Sequence, residues 1–580
     1  MVHDELYDLR HSTAHLMAQA IGELYPGVKY AIGPPIEDGF YYDFDLIEPI
    51  KEEELPRIED KMREIAERDL PIVREVMPRD LARDFEINQN QPYKVELIDG
   101  LPENEEISFY RQGDWIDLCR GPHVPSTGRL RHFKLLHTAG AYWRGSENNK
   151  MLTRVYGTAW FTQADLVDYL YRLEEAKKRD HRLLGRELGL FVFASEEIGS
   201  GIPLFLPKGE MLRHTMETYV REVQTRYGYQ HVWTGHLVRE DLFRKSGHYD
   251  NYADVMFPPM KDEDSGITYR LKPMNCPSHM TLFNTQYHSY RDLPVRYAEF
   301  ATLYRYEKSG ELNGLTRVRS LTQDDCHVFC TEAQVEAEFS LALHLIREVL
   351  TRFGFDNYRV RLSLRGNEPG GKYVQDDDKW NRATDALRRA MVANDVEFYE
   401  APGEAAFYGP KADFQTRDVL GREWTASTIQ VDFIQPARLG CFYIDDEGNK
   451  KTPVVLHRAV TGSTERFMGL LIEQYAGAFP FWLAPQQVAI IPITEKHNAY
   501  GQEVCAQLQA AGFRAAVDSR NEKMGKRIRE SEMQKIPVML VMGDKDIAAG
   551  TVSVRRRGEG DLGAKSLPET LAYLSELSKA

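Results

Sequence analysis

His11 and His15 stand four residues apart in His11-Ser12-Thr13-Ala14-His15, a spacing that sets two imidazoles on one face of a helix. Further along, Asp117-Leu118-Cys119-Arg120-Gly121-Pro122-His123 brings a carboxylate, a thiol and a third imidazole into one short polar stretch. Two histidines with a cysteine and a further histidine form a donor set that suits zinc. A second concentration of chemistry lies between Val295 and Phe329. There, one strand-like run ends at Arg305-Tyr306-Glu307 and another restarts at Thr316-Arg317-Val318-Arg319, with a polar loop from Lys308 to Gly314 between them. This pattern reads as a long hairpin with basic residues near its turn. Guanidinium groups so placed can grip a polyphosphate, because the planar fork binds phosphate oxygens bidentately and stacks on an adenine face. An Arg-x-Glu pair on a strand serves equally well in a structural ladder of ion pairs. A third string, Gly462-Ser463-Thr464-Glu465-Arg466-Phe467, follows a strand-like run ending at Val460 and precedes a helical stretch from Met468 to Tyr475.

The elements that must position these residues imply a multidomain α+β protein. A chain of 580 residues is long enough for two to four domains, each with its own core. The first stretch, to about Trp160, mixes β-like runs such as Gly39 to Phe44 with charged helical runs such as Glu52 to Arg68. Thr162 and Asp165 then form a capping box, and Leu166, Tyr169, Leu170, Leu173 and Ala176 recur at helical spacing before the basic Lys177-Lys178-Arg179. This predicts a connecting helix over 161–187. From 188 to 484, β-branched and aromatic strands punctuated by Gly and Pro, without regular β-α-β alternation, predict a large antiparallel sheet with helical insertions. After Pro485, apolar runs such as Val488 to Ile493 and Pro537 to Val541 alternate with helical stretches, which predicts a small parallel-type α/β domain over 485–580.

Composition narrows the function classes. The net charge of −15 excludes a protein coated in nucleic acid by bulk attraction, so any RNA contact must be local. Six scattered cysteines in so long a chain do not make a disulfide framework. No run of 18 apolar residues appears, and Met1-Val2-His3-Asp4-Glu5 has neither the basic-then-apolar order of a secretory signal nor the Arg-rich look of a transit peptide. A cytoplasmic protein with no membrane segment is expected.

Together, Arg305-Tyr306-Glu307 and Gly462 to Phe467 resemble motifs 2 and 3 of the class II aminoacyl-tRNA synthetases. Lys272-Pro273-Met274-Asn275-Cys276-Pro277, Thr322-Gln323-Asp324-Asp325-Cys326-His327, Tyr408-Gly409-Pro410-Lys411 and His457-Arg458-Ala459 resemble the threonyl-specific members. The likeness runs over essentially the whole chain. It implies an editing domain at 1–160, the connecting helix, an antiparallel-sheet catalytic domain at 188–484 and an anticodon-binding domain at 485–580. The implied activity is threonine activation with ATP and transfer to tRNA(Thr), by a homodimer. The resemblance implies one zinc per subunit, held by Cys276, His327 and His457 with positions open for the amino group and hydroxyl of threonine. No spacing rule groups these three residues. By position, Arg305 and Arg466 would neutralise the phosphates of ATP, which magnesium accompanies. Glu307 would meet the adenine edge and Arg317 the phosphates, while Gln323, Asp325, Tyr408, Lys411 and Gln430 would hold threonine or the reacting carboxylate. For His11, His15, Lys94, Asp117, Cys119 and His123 the resemblance points to metal-free hydrolysis of seryl-tRNA. Asp546 and Arg555 resemble readers of anticodon bases.

Chemistry makes such an editing step necessary. Valine lacks the hydroxyl, so it leaves a metal position and a polar partner such as Asp325 unpaired; sites built for a hydroxyl reject such analogues by about 10⁴ or more. Serine lacks only a methyl, worth roughly 1–3 kcal/mol, and will be activated too often. The sequence departs from the family in three places. The chain starts shortly before His11, so the ubiquitin-like module common ahead of the editing domain is expected to be missing. Thr234-Gly235-His236 carries glycine where motif 1 holds proline, which frees the local φ. Thr425 stands where glutamine is usual. The competing reading is a synthetase-like RNA-binding or regulatory paralogue without ligase activity, which would have no need of the motif arginines or the three metal ligands.

Overall fold

The computed structural model describes residues 5–146, 148–366, 373–418 and 421–579. Met1 to Asp4, part of the start read above for a leader, lies outside the described residues. The chain divides into two compact units, Met1–Glu174 and Glu175–Ala580.

The first unit contains α1 (Glu5–Leu24), β1 (Gly39–Asp45), α2 (Leu55–Glu67), β2 (Ile72–Met77), α3 (Arg79–Asn88), α4 (Pro92–Asp99), β3 (Ile107–Gln112), β4 (Trp115–Leu118), β5 (His132–Tyr142) and β6 (Met151–Trp160). β1 pairs antiparallel with β6, and β6 with β5, while β2, β3 and β4 form a separate antiparallel sheet. β1 follows from its alternation: Phe40, Tyr42 and Phe44 are fully buried in one cluster with Leu16, Met17 and Ile21 of α1. Each such apolar side chain contributes roughly 1.5–3 kcal/mol. α1 is buried on every side from Leu9 to Ile21, so His11, Ser12, His15 and Gln19 must find partners inside the fold.

The expected connecting helix is two helices, α5 (Gln163–Arg179) and α6 (His181–Leu188). Thr162 Oγ1 accepts from the Asp165 N–H at 3.1 Å, as the capping pattern predicts, and donates to the Asp165 carboxylate at 2.6 Å. The break comes at Asp180, whose carboxylate accepts from the Arg182 N–H at 2.8 Å and caps a new helix instead of continuing the old one.

The second unit continues with α7 (Pro207–Arg226), α8 (Cys276–Phe283), β7 (Val295–Tyr304), β8 (Ser320–Cys330), α9 (Val335–Arg352), β9 (Tyr358–Leu364), α10 (Asp377–Ala393), β10 (Phe398–Pro402), β11 (Lys411–Arg417), β12 (Glu423–Asp432), β13 (Val454–Ala459) and α11 (Thr464–Gln474). Its main sheet runs Gln230–His231, β7, β8, β13, β12, β11, β9, β10. The inner pairings are antiparallel, as expected, and only the two edges pair parallel. The β7–β8 hairpin is shorter than its sequence pattern suggests. Regular pairing ends at Tyr304↔Ser320, so Arg305, Glu307 and Arg317 lie in the connection and not on strands. The chain leaves the ladder because the Arg319 N–H turns to the Gly201 carbonyl, at 2.7 Å, and Arg317 closes on Glu307, at 2.8 Å.

The remainder comprises β14 (Val488–Pro492), α12 (Asn498–Ala510), β15 (Ala515–Val517), α13 (Met524–Met533), β16 (Val538–Met542), β17 (Thr551–Arg556), β18 (Gly560–Ser566) and α14 (Leu567–Lys579). β15, β14 and β16 are parallel, as expected, but β17 and β18 extend the sheet antiparallel. The link between those two strands is a tight turn, far too short for a crossover helix. Among the described residues, no helix is long and apolar enough to cross a membrane.

Candidate functional site

Side-by-side strands bring distant residues together in the second unit. Across β8 and β13, His327 faces His457, and across β12 and β13, Gln430 faces His457. Cys276 comes from the first turn of α8. One donor atom from each of Cys276, His327 and His457 lies within 4.8 Å of the others, with His327 Nε2 3.0 Å from His457 Nδ1. The outer nitrogens are also engaged: His457 Nε2 is 3.0 Å from Asp432 Oδ2, and His327 Nδ1 is 2.8 Å from His279 Nδ1. Burial, then His457 and His279, pushes the His327 pKa well below its ordinary value. Burial, then Asp325 and Asp432, pushes the Cys276 thiol well up. Two imidazoles, that of His327 held neutral by burial, beside a thiol that ionises only for a cation fit a three-ligand zinc site.

Beside the triad is a cavity of about 290 Å³ lined by Arg305, Gln323, Asp325, Tyr408, Lys411 and Gln430. The Tyr408 hydroxyl donates to Gln430 Oε1 at 2.6 Å, and its ring stacks on His457 with centroids 5.0 Å apart. Gly409 makes this placement possible, since a Cβ there would fall 2.1 Å from the Val431 carbonyl oxygen. Lys411 Nζ lies 3.2 Å from Asp413. Asp325 is buried, and desolvation raises its pKa against the pull of His279 and His457.

A second cavity, of about 180 Å³, shares Arg305 and Gln323 with the first and adds Glu307, Arg317, Thr425 and Arg466. Arg466 sits in the first turn of α11, where Ser463 Oγ accepts its N–H at 3.3 Å and its Nε donates to the Thr316 carbonyl at 2.9 Å. Desolvation lowers the pKa of Arg466, and Arg305 and Arg317 lower it further. Three guanidiniums line one cavity near a helix N-terminus with Glu307 pairing only Arg317 directly, an excess of positive charge that suits a polyanion.

In the first unit, α1 presents His11 and His15 toward Cys119 and His123, which follow β4. All four offer donor atoms within 4.8 Å of one another. Cys119 Sγ is 3.2 Å from His11 Nε2 and 3.3 Å from His123 Nε2. Gly121 is required in this turn, having φ +73° and a would-be Cβ 2.1 Å from the Tyr110 hydroxyl. Lys94 Nζ is 2.6 Å from Asp117 Oδ1 and 2.9 Å from the Tyr42 hydroxyl, which donates to Asp117 Oδ2 at 2.6 Å. Burial lowers His11 to about 4 and pushes the Cys119 thiol up to about 12, and it presses His15 and His123 below their ordinary value. At neutral pH the cluster is therefore three uncharged imidazoles and an unionised thiol beside a buried ion pair.

The remaining positions are placed apart from these pockets. Asp546 is engaged within its own turn, accepting from the Gly543 N–H at 2.9 Å and from Ser553 Oγ at 3.2 Å. Arg555 lies 3.7 Å from Asp561, with its buried Nε unpartnered. Gly235 has ordinary backbone and no neighbour within 3.9 Å of its would-be Cβ. The segment is held instead by Thr234, whose N–H donates to Glu299 at 2.8 Å. Sequence reasoning missed His279, Glu299, Asp432 and His248. His248 is fully buried, with Nε2 3.7 Å from Cys276 Sγ. The Cys276-x-x-His279 spacing, one helical turn, was the available signal for His279, and Asp432 stands two strand residues beyond Gln430, on the same face.

Residues 260–475 match the family described as tRNA synthetase class II core domain (G, H, P, S and T). Residues 487–577 match the anticodon binding domain, and 107–156 match the threonyl and alanyl tRNA synthetase second additional domain. With the antiparallel sheet and the arginine-lined cavity, these define a class II aminoacyl-tRNA synthetase. The threonine–tRNA ligase of Rubrobacter xylanophilus is 66% identical over 555 residues, covering 96% of this chain and 86% of that protein. That of Thermus thermophilus is 50% identical over 574 residues, with 96% and 86% covered. The solved RNA binding domain of threonyl-tRNA synthetase from Cryptosporidium parvum Iowa II aligns with a TM-score of 0.65 at 35% identity, covering 69% of this chain and 98% of that one. The chain belongs to the threonine–tRNA ligase family.

Proposed function

We propose that this protein activates L-threonine with ATP, transfers it to tRNA(Thr) and hydrolyses mischarged seryl-tRNA(Thr), working in the cytoplasm as a homodimer. The observation that carries the reading is the convergence of Cys276, His327 and His457 beside a cavity continuous in its lining with the arginine cavity. Zinc held by those three residues would supply a Lewis-acid centre for the amino group and hydroxyl of the substrate, and magnesium would accompany ATP. Asp325, buried and lining the same cavity, accepts the substrate hydroxyl. Tyr408, Gln430, Gln323 and Lys411 orient the carboxylate for in-line attack on the α-phosphorus. Arg305, Arg317 and Arg466 hold the phosphates, and Glu307 meets the adenine edge. Catalysis is then mainly positioning and charge stabilisation.

In the editing reaction, Lys94 and Asp117 orient the ester while His11, His15, Cys119 and His123 hold water. The uncharged state of the cluster supports this role, since the thiol is not a thiolate nucleophile. Editing is assigned to 1–160, connection to 161–187, activation to 188–484 and anticodon binding, with Asp546 and Arg555, to 485–580. The exposed Trp233 and Leu237 flanking Gly235 support a subunit contact there. A paralogue without ligase activity is not favoured, because every motif arginine is present and the three metal-type ligands lie within 4.8 Å of one another. ATP–pyrophosphate exchange with threonine, serine and valine tests the reading. The expected order is threonine, then serine, then valine near background, with all signals lost in His327→Ala. Absence of exchange from folded, zinc-loaded protein with any of the three refutes it.

A further inference from the structure

We infer that Glu299 and His279 are positioning residues for His327: a buried carboxylate–imidazole pair that decides which His327 nitrogen is turned toward Cys276 and His457. The inference rests on the metal reading above and adds residues to it. His327 meets His457 through Nε2, at 3.0 Å, and His279 through Nδ1, at 2.8 Å. Where two imidazole nitrogens meet at hydrogen-bond distance away from the ligand side, as His279 Nδ1 and His327 Nδ1 do, one must donate and the other accept, whereas facing lone pairs on His327 Nε2 and His457 Nδ1 require a cation to bridge them. The other nitrogen of His279, Nε2, lies 3.0 Å from Glu299 Oε2. A carboxylate only accepts, so His279 carries its proton on Nε2 and offers a lone pair at Nδ1. His327 must then donate from Nδ1, which leaves the lone pair of Nε2 facing the ligand side.

The surroundings hold this order in place. Asn275 Nδ2 is also 3.0 Å from His279 Nε2, but Asn275 Oδ1 accepts from Lys272 Nζ at 2.8 Å, which fixes the amide so that Nδ2 donates to Glu299 at 2.8 Å. Glu299 is anchored from the other side by the Thr234 N–H at 2.8 Å and lies 2.9 Å from the Thr234 hydroxyl. His279 and His327 are 0% exposed and Glu299 3%, so water cannot redirect the protons. His457 receives the same treatment directly, from Asp432 at 3.0 Å. Each imidazole of the triad thus has its outer nitrogen assigned by a carboxylate, one at first hand and one through a relay, the arrangement that orients metal-ligating histidines. The relay sits one helical turn from a ligand, since Cys276 and His279 share α8.

The test uses the full chain, stripped with a chelator and titrated with zinc in chelator competition, and with cobalt followed by its visible absorption. His279→Phe keeps a ring but no acceptor. Its zinc affinity is expected to fall about 10–100-fold, with a weakened or shifted cobalt band, while the apo protein keeps its helical content and unfolding midpoint. His279→Gln, whose amide oxygen can accept from His327 Nδ1, is expected to recover most of the loss. Should His279→Phe not fold, Glu299→Gln is expected to weaken zinc about 10-fold. Parental zinc affinity and cobalt spectrum in the folded variant overturn the inference. A parent chain that binds no zinc overturns the metal reading itself, a result distinguishable from failure of the relay alone.

Discussion

Glu86→Gln is expected to remove a pH dependence from the first unit. Glu86 is 4% exposed on α3 and lines a cavity of about 300 Å³ with Lys94 and Asp117. The Lys94 ammonium is already engaged by Asp117 at 2.6 Å and Tyr42 at 2.9 Å. Desolvation first, then the charge of Asp117, raises the Glu86 pKa from 4.5 to about 8, with Lys94 opposing. Because the folded-state value is the higher one, the folded protein holds a proton that the unfolded chain has released anywhere between these limits. The associated stability is present in full below about 4.5 and is lost as pH rises toward about 8. At about 1.4 kcal/mol per unit, local opening should become easier by roughly 2–3 kcal/mol between pH 5.5 and 7.5. Hydrogen exchange of α3 and α4 amides, corrected for the intrinsic pH dependence of exchange, measures this directly. Wild type should show the falling opening free energy, whereas Glu86→Gln, a neutral isostere, should be flat and the more stable of the two at pH 7.5. Equal slopes in the two proteins, or protection that rises with pH in wild type alone, would refute the assignment.

Two further outcomes follow from the pockets. Lys94→Ala leaves Asp117, 4% exposed, as a buried carboxylate without its cation, so seryl-tRNA hydrolysis should fall by about 10² or more in a deacylation assay. Threonine-dependent pyrophosphate exchange should be unchanged in the same preparation. Tyr408→Phe removes the 2.6 Å bond to Gln430 in a buried setting and leaves an unsatisfied acceptor that costs the fold about 1–3 kcal/mol, so the unfolding midpoint should fall slightly and kcat/KM for threonine in the exchange assay should drop as Gln430 loses its fixed orientation.

Some of this architecture is legible in the residue pattern. Phe40, Tyr42 and Phe44 alternate, and β1 is where the alternation is; Thr162 with Asp165 announces the start of α5. The failures share a cause: a local signal overruled by a neighbour distant in sequence. Arg305 and Arg317 continue the strand-like patterns of β7 and β8, yet the Arg319 N–H is claimed by Gly201 and the ladder ends. Asp180 reads as one more polar helix residue until its carboxylate turns back to cap α6. The metal-type triad is the extreme case, because His327 and His457 are joined by strand register and Cys276 reaches them from helix α8, neither of which any spacing encodes. His279 was closer to legible, one turn after Cys276, while Glu299 carries no local signal of its relay.

Taken together, the pockets show why one binding site cannot deliver fidelity for threonine. In the proposed reading, a hydroxyl-bearing substrate satisfies Asp325 and valine does not; an unpaired buried carboxylate is costly, so discrimination of about 10⁴ against valine arises at binding. Serine satisfies the same group. Its missing methyl withdraws only roughly 1–3 kcal/mol of contact, and narrowing the cavity would exclude threonine before serine. Selection against the smaller molecule must therefore occur where the larger one cannot enter. In the proposed reading the first unit offers such a place, beside the cluster in which ring centroids of His11 and His123 lie 4.2 Å apart, those of His15 and His123 4.4 Å, and Cys119 touches two of the rings. A close-packed wall penalises an added methyl through steric overlap, a cost that rises more steeply than the contact energy lost by removing one. In that reading the second discrimination rests on exclusion, and its specificity should respond to cluster volume. Enlarging the site with Cys119→Ala, a change that also removes a group proposed to hold water, should lower the ratio of seryl- to threonyl-tRNA hydrolysis along with the absolute rate. A rate that falls with the ratio intact would place the exclusion of the methyl elsewhere in the first unit.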